Sequence, residues 1–201
     1  MMAENSINRV LGISGSITSG SKTRSAVETA LESASSIDNI ETEVVHLGDY
    51  NIVEADGRQL EDYEGDTAEV LDAIVGADAY IIGTPVYRAS YSGVLKNLFD
   101  MIPRGMWQAN VAPLESAAVG LVATGATPHH YLMIDQELRP MMGFFGACTV
   151  GGVYAHNQHF TDTDIVDDEI QNRLKSLGTA VVEMGTAASN SDGLESLGPQ
   201  F

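Results

Sequence analysis

The sequence predicts an α/β protein built on a doubly wound, five-stranded parallel sheet in the order 2-1-3-4-5, with helices on both faces as three layers. Five short runs alternate with helix-length segments, and each run is apolar along its length, the pattern of strands buried on both sides. These five units fit within 201 residues. In such a sheet ligands bind beyond the carboxyl ends of the strands at the switch point, so the turns after strands one, three and four, Gly15–Gly20, Pro85–Tyr91 and Gly125–Pro128, are the expected ligand-binding rim. No repeat and no interior linker divides the chain. Residues 1–188 therefore read as one domain, and the Gly/Ser-rich stretch 189–201 reads as a flexible tail.

Each element has a local reason. Asn8–Ser14 is an apolar run ending in a Gly/Ser cluster, which predicts a buried strand and a tight loop. Ser21 to about Ser35 places Ala26, Ala30, Leu31 and Ala34 at helical spacing. Thr42–Leu47 is the second strand, and Gly48–Asp66 is a long acidic connection. Thr67–Gly76 is a helix with Val70, Leu71, Ile74 and Val75 on one face. Ala79–Thr84 is the third strand, followed by the loop Pro85–Tyr91 and a helix from Ser92 to about Ile102. Ala117–Thr124 is the fourth strand. After Gly125–Pro128 a helix is expected from His129 to about Met142, then a fifth strand within Ala147–Tyr154 and a closing helix over Asp164–Ala187.

Composition excludes several classes of function. The chain carries 10 Lys+Arg against 28 Asp+Glu, a formal charge of −18, which repels nucleic acid and anionic membranes alike. No apolar run approaches the ~18–20 residues of a membrane span, and no signal-peptide pattern opens the chain. A single cysteine, Cys148, permits no internal disulfide, and a cytoplasmic protein is expected. The acidic excess also predicts a halophilic protein, because in molar salt the Debye length shrinks to about 3 Å and self-repulsion fades. Two segments escape it. Residues 8–31 hold Arg9, Lys22 and Arg24 against Glu28, and residues 84–112 hold Arg88, Lys96 and Arg104 against Asp100. Both are expected to border a pocket for an anion, with chance clustering as the plain alternative.

Three loops carry the chemistry. Gly15–Thr23 joins a strand to a helix start, so its N–H groups, hydroxyls and helix dipole converge on one point, as a phosphate site requires. It misses the nucleotide-triphosphatase pattern by one residue, since Ser21 separates Gly20 from Lys22. A helix cap by Ser21 is the plain alternative. In the second loop Pro85 stiffens the turn, leaving the following amides to face a ring edge, with Tyr87 and Tyr91 as planar surface or as packing. The third loop, Thr124–His130, again sets a glycine turn before a helix, which suits stabilisation of an anionic ring edge. His129, His130, His156 and His159 lack a carboxylate or thiolate at ligand spacing, so no metal site is expected.

With these residues in view, the sequence resembles the NADPH-dependent FMN reductases of the flavodoxin-like superfamily over roughly residues 8–161, most closely the alkanesulfonate-pathway branch. Gly15, Ser16, Ser21 and Thr23 match the loop G-S-x-x-x-x-S-x-[ST]. Thr84 to Asp100 matches T-P-V-Y-x-x-S-x-S-G-x-L-K-N-x-x-D without a gap. Thr124, Gly125, Thr127 and His130 match T-G-x-T-x-x-H, and Asp135, Leu138, Arg139 and Pro140 match D-x-x-L-[KR]-P.

The resemblance implies an oxidoreductase that uses FMN and NADPH or NADH. Ser16, Ser21, Lys22 and Thr23 would take the FMN phosphate. Pro85, Val86, Tyr87 and Arg88 would cradle the ring, and Thr124, Gly125, Ala126 and Thr127 would meet its pyrimidine side. Arg88 and Arg104 are candidates for the pyridine-nucleotide phosphates. A homodimer or homotetramer and a flavin-dependent monooxygenase as recipient of reduced flavin are also implied. Gln136 stands where the flavin-releasing branch carries an aromatic residue. That leaves open whether FMN passes through or stays bound, as in quinone, azo or metal-oxyanion reductases. A flavodoxin-type electron carrier and a nucleoside kinase acting through Gly15–Thr23 are the readings from other classes.

Overall fold

The computed structural model describes residues 6–105 and 109–195. Five parallel strands, β1 (Arg9–Ser14), β2 (Glu41–His46), β3 (Ala79–Pro85), β4 (Ala118–Gly125) and β5 (Cys148–His156), form one sheet in the order β2-β1-β3-β4-β5. The expected order is therefore found. Both faces of the sheet are covered: Val10, Leu11 and Ile13 are all fully buried, yet they enter two different cores. Leu11 and Ile13 pack beneath α2 (Gly65–Val75) and α3 (Gly93–Phe99), whereas Val10 packs beneath α1 (Lys22–Ser35) and α5 (Asp168–Ser189). A strand covered on both faces has no polar side to alternate with.

Helix starts follow their caps. Ser21 accepts from the Arg24 amide at 3.1 Å, Ser92 from the Leu95 amide at 3.2 Å and Asp167 from the Ile170 amide at 2.9 Å, opening α1, α3 and α5 respectively. The acidic connection after β2 is irregular, and Asn97 holds it down by accepting from the Ala55 amide (2.9 Å) and donating to the Val53 carbonyl (2.8 Å).

Four expectations need correction. The helix expected from His129 to Met142 is broken into a 3₁₀ turn (Pro128–His130), a π turn (Ile134–Leu138) and α4 (Arg139–Phe145). Pro140 bears on the π turn alone: it has no N–H to donate and its ring crowds the Gln136 carbonyl four residues back, which a wider turn relieves. The helix after Ser92 ends at Phe99 rather than near Ile102. The closing helix expected from Asp164 starts at Asp168, because Asp164–Ile165 instead pairs with Phe160–Thr161 in a two-stranded hairpin after β5. At the C-terminus α5 runs to Ser189, and one further helical turn, Asp192–Glu195, lies within the stretch read as a tail. Among the described residues no helix is long and apolar enough to cross a membrane.

Candidate functional site

The carboxyl ends of β1, β3 and β4 converge as the topology demands, and a cavity of about 480 Å³ lies between the turns that follow them. The first turn supplies Ser16, Thr18, Gly20, Ser21, Lys22 and Thr23 to its wall. The second supplies Pro85, Val86 and Tyr87, and the third Thr124, Gly125 and Ala126. Ten of the twelve residues named from the sequence are thus brought together. Arg88 and Thr127 stand outside this lining.

The first turn is held to both β3 and α3. The Gly15 amide donates to the Gly83 carbonyl at 2.8 Å, and the Gly15 carbonyl accepts from the Ser92 hydroxyl at 2.6 Å. A side chain at Gly15 would place its Cβ 2.9 Å from that of Leu95, so only glycine lets the turn pass between β3 and α3. Beyond it Ser16 Oγ lies 3.1 Å from Thr18 Oγ1 and accepts from the Thr18 amide at 3.4 Å. Ser21 is a helix cap, as the plain alternative had it, but its hydroxyl hydrogen remains available to a ligand. Thr23 is tied to β4 by a 2.6 Å bond between its hydroxyl and that of Thr124, both buried. Removing either hydroxyl would leave the other without its partner, so neither substitution is a clean probe of ligand binding.

The second turn departs from expectation. Its amides do not face outward: Val86 donates to the Thr124 carbonyl at 2.8 Å and Tyr87 to the Ser90 carbonyl at 2.9 Å. The reciprocal Ser90 amide to Tyr87 carbonyl bond closes a two-residue hairpin turn with Arg88 (φ 53°) and Ala89 (φ 68°) at its centre. Both centres are left-handed, the pattern of a type I′ turn, which normally calls for glycine or asparagine. Two ordinary residues there cost roughly 1–2 kcal/mol each. Arg88, at the centre of this turn, is exposed and outside the cavity lining. Arg9, Arg24, Arg58, Arg139 and Arg173 each hold a carboxylate, whereas Arg88 holds none among the described residues. Arg104, the other candidate, sets its guanidinium 3.7 Å over the Phe144 ring, away from the cavity lining.

The third turn rests on Tyr154 of β5, whose hydroxyl donates to the Thr127 carbonyl at 2.5 Å; burial pushes that phenol's pKa up. A Cβ at Gly125 would fall 2.2 Å from the Tyr154 oxygen, so a larger residue there would disturb this support as well as the cavity. Three lining residues were not among those twelve: Thr18 and Gly20, within the first turn, and Asn157. Asn157, in the turn after β5, accepts from the Lys22 ammonium at 2.9 Å and closes the fourth side. The signal was present, since β5 ends at the same rim as the other strands. Beside it, burial and then the neighbouring His159 ring lower the pKa of His156, with Asp167 opposing. Among the described residues no group of three or more His, Cys, Asp or Glu side chains could hold a metal ion.

One property of the lining stands out against the composition. None of its residues is acidic, although 28 of 201 residues in the chain are, and its one full charge is the Lys22 ammonium. A wall of hydroxyls around a cation favours an anion. A cavity of this volume falls in the usual range for small-molecule sites. A doubly wound parallel sheet with such a rim defines a flavodoxin-like protein whose rim cavity has a lining suited to an anion.

The chain belongs to the NADPH-dependent FMN reductase family, whose pattern it matches over residues 8–162. It is 39% identical over 179 residues to an NAD(P)H-dependent FAD/FMN reductase of Geobacillus thermodenitrificans, covering 88% of this chain and 92% of that one. It is 32% identical to an NADH-dependent FMN reductase of Pseudomonas putida, over 85% of this chain and 89% of the relative. Its fold is similar to the crystal structure of the NADH:FMN oxidoreductase EmoB in its apo form, with a TM-score of 0.74, 25% identity and 94% of each chain covered. Membership makes the protein an oxidoreductase of FMN and reduced nicotinamide nucleotides.

Proposed function

We propose that the rim cavity is where FMN is reduced by NAD(P)H. The single observation that carries this is the acid-free, hydroxyl-rich lining with Lys22 as its one cation, in a protein that is acidic elsewhere. Ser16, Ser21, Lys22 and Thr23 would hold the phosphate, with Thr18 beside them. Pro85, Val86 and Tyr87 would flank the ring on one side, and Thr124, Gly125, Ala126 and Thr127 on the other. Because the Val86 and Tyr87 amides are internally bonded, that side offers shape and rigidity rather than hydrogen-bond donors. When bound, FMN supplies the two-electron acceptor that takes a hydride from the nicotinamide. The protein's part is to fix the phosphate, exclude water and hold the ring's position, so no side-chain acid or base is assigned.

Arg88 would meet the phosphates of the nicotinamide nucleotide. It is exposed, without a carboxylate partner, and carried on a strained turn beside Tyr87, and strain of this kind collects at functional positions. Arg88→Ala is expected to raise KM for the nicotinamide nucleotide about tenfold, the loss of one charge-assisted bond, while FMN affinity is retained. Steady-state kinetics with each substrate varied in turn checks this; an unchanged KM would exclude the contact.

The remaining assignments follow from the same reading. Reduced FMN would pass to a flavin-dependent monooxygenase, the protein would act in the cytoplasm as a homodimer or homotetramer, and its acidic surface would suit concentrated salt. Following NADPH and NADH oxidation at 340 nm in low and molar salt, with and without added FMN, tests the function. A colourless protein that turns over once FMN is added is expected. A yellow protein that oxidises neither nucleotide with added FMN or quinone would instead be an electron carrier.

A further inference from the structure

We infer that His46 is a positioning residue for the anion loop after β1, setting the peptide of Thr18 and, through it, the hydroxyls of Ser16 and Thr18. This rests on reading that loop as the phosphate site. His46 is the last residue of β2, opposite Ser14 in the parallel register, and only 1% of its surface is exposed. A buried imidazole is costly unless both ring nitrogens are bonded. Here both are. Nε2 lies 3.1 Å from the Thr18 carbonyl, and Nδ1 lies 3.0 Å from the Ser14 hydroxyl. A carbonyl can only accept, so Nε2 carries a hydrogen and donates it, while the Ser14 hydroxyl adapts to whatever Nδ1 requires.

The chain neighbours of His46 supply the packing at this end of β2, since Val45 and Leu47 both belong to the hydrophobic core. The imidazole adds what an apolar side chain could not, a donor aimed at a loop that has no strand pairing of its own. From Thr18 the connection continues: its amide donates to Ser16 Oγ, and its hydroxyl lies 3.1 Å from the same atom. Ser16 and Thr18 line the cavity, and His46 lies behind them. Gly48 completes the arrangement. A Cβ there would sit 2.8 Å from Nε2 and 2.9 Å from the Ile17 backbone, so the turn after β2 is cut away where the loop crosses the ring.

The test compares wild type, His46→Asn and His46→Gln in the full chain by fluorescence titration with FMN and with riboflavin, the same flavin without its phosphate. Asparagine can occupy the place of Nδ1 but stops short of Thr18, whereas glutamine carries an amide N–H to the place of Nε2. His46→Asn is expected to weaken FMN binding about tenfold and riboflavin binding less than about twofold, and His46→Gln to recover most of the loss. The inference is overturned if His46→Asn binds FMN as wild type does, if both flavins weaken by the same factor, or if glutamine rescues nothing. Failure of both variants to fold would overturn it too, since the ring would then serve the core. A wild-type protein that binds FMN no more tightly than riboflavin would contradict the phosphate reading itself, a result obtained before any variant is made.

Discussion

Ser16→Ala combined with Thr18→Ala is expected to weaken FMN binding by about 2–4 kcal/mol, roughly 30- to 1000-fold, because two hydroxyls that can bond a doubly charged phosphate are lost together. The two oxygens are 3.1 Å apart and share one environment, so the pair is treated as a unit rather than as two additive terms. Neither hydroxyl reaches into the core or caps a helix, in contrast to Thr23, bonded to Thr124, and Ser21, which opens α1. The melting temperature should therefore stay close to that of wild type without ligand. Titration with FMN and riboflavin checks the assignment: loss of FMN alone is expected, and equal losses would move the phosphate away from this turn.

Gly178→Ala is expected to destabilise the fold by about 3 kcal/mol, seen as a fall in melting temperature of about 6–12 °C. Gly178 lies in α5 where it crosses α1, and a Cβ there would stand 1.9 Å from the Ala30 carbonyl oxygen. That neighbour is backbone and cannot swing aside as a side-chain end could, so the two helices must separate. Their separation would loosen the small-residue seam of Ala26, Ala30 and Ala34 against the sheet. Thermal unfolding followed by circular dichroism measures the effect. An unchanged melting temperature would mean that α1 and α5 do not approach this closely.

The contrast between these two substitutions shows where sequence is legible. Burial on both faces makes the interiors of β1, β3 and β4 apolar, so the strands could be read directly, while their order followed from the doubly wound architecture that five alternating units suit, and with it the rim where ligands gather. The Gly/Ser turn after β1 was legible because glycine and hydroxyl residues cluster between a buried strand and a helix start, where capping by Ser21 and a ligand site can share the same turn. What escaped was set by tertiary contact. Pro140 marks a disturbance, but whether the chain kinks, stops or widens into a π turn depends on its packing. The Val86 and Tyr87 amides looked free because their acceptors, Thr124 and Ser90, are identified only once β4 is in place and the hairpin turn has closed. Nothing local in Tyr87–Ser90 announces two left-handed residues, since neither Arg88 nor Ala89 is a residue that favours them. Likewise His46 reads as one histidine in an apolar strand until the Thr18 carbonyl, 28 residues earlier, is folded against it.

The most direct test of the whole account is a crystal structure of the protein soaked with FMN. The account requires the phosphate within hydrogen-bonding reach of Ser16, Thr18 and Lys22, and the flavin ring between the turn at Pro85–Tyr87 and the turn at Thr124–Ala126. Flavin bound elsewhere on the molecule, or lying along this rim with its phosphate turned away from Lys22, would contradict it.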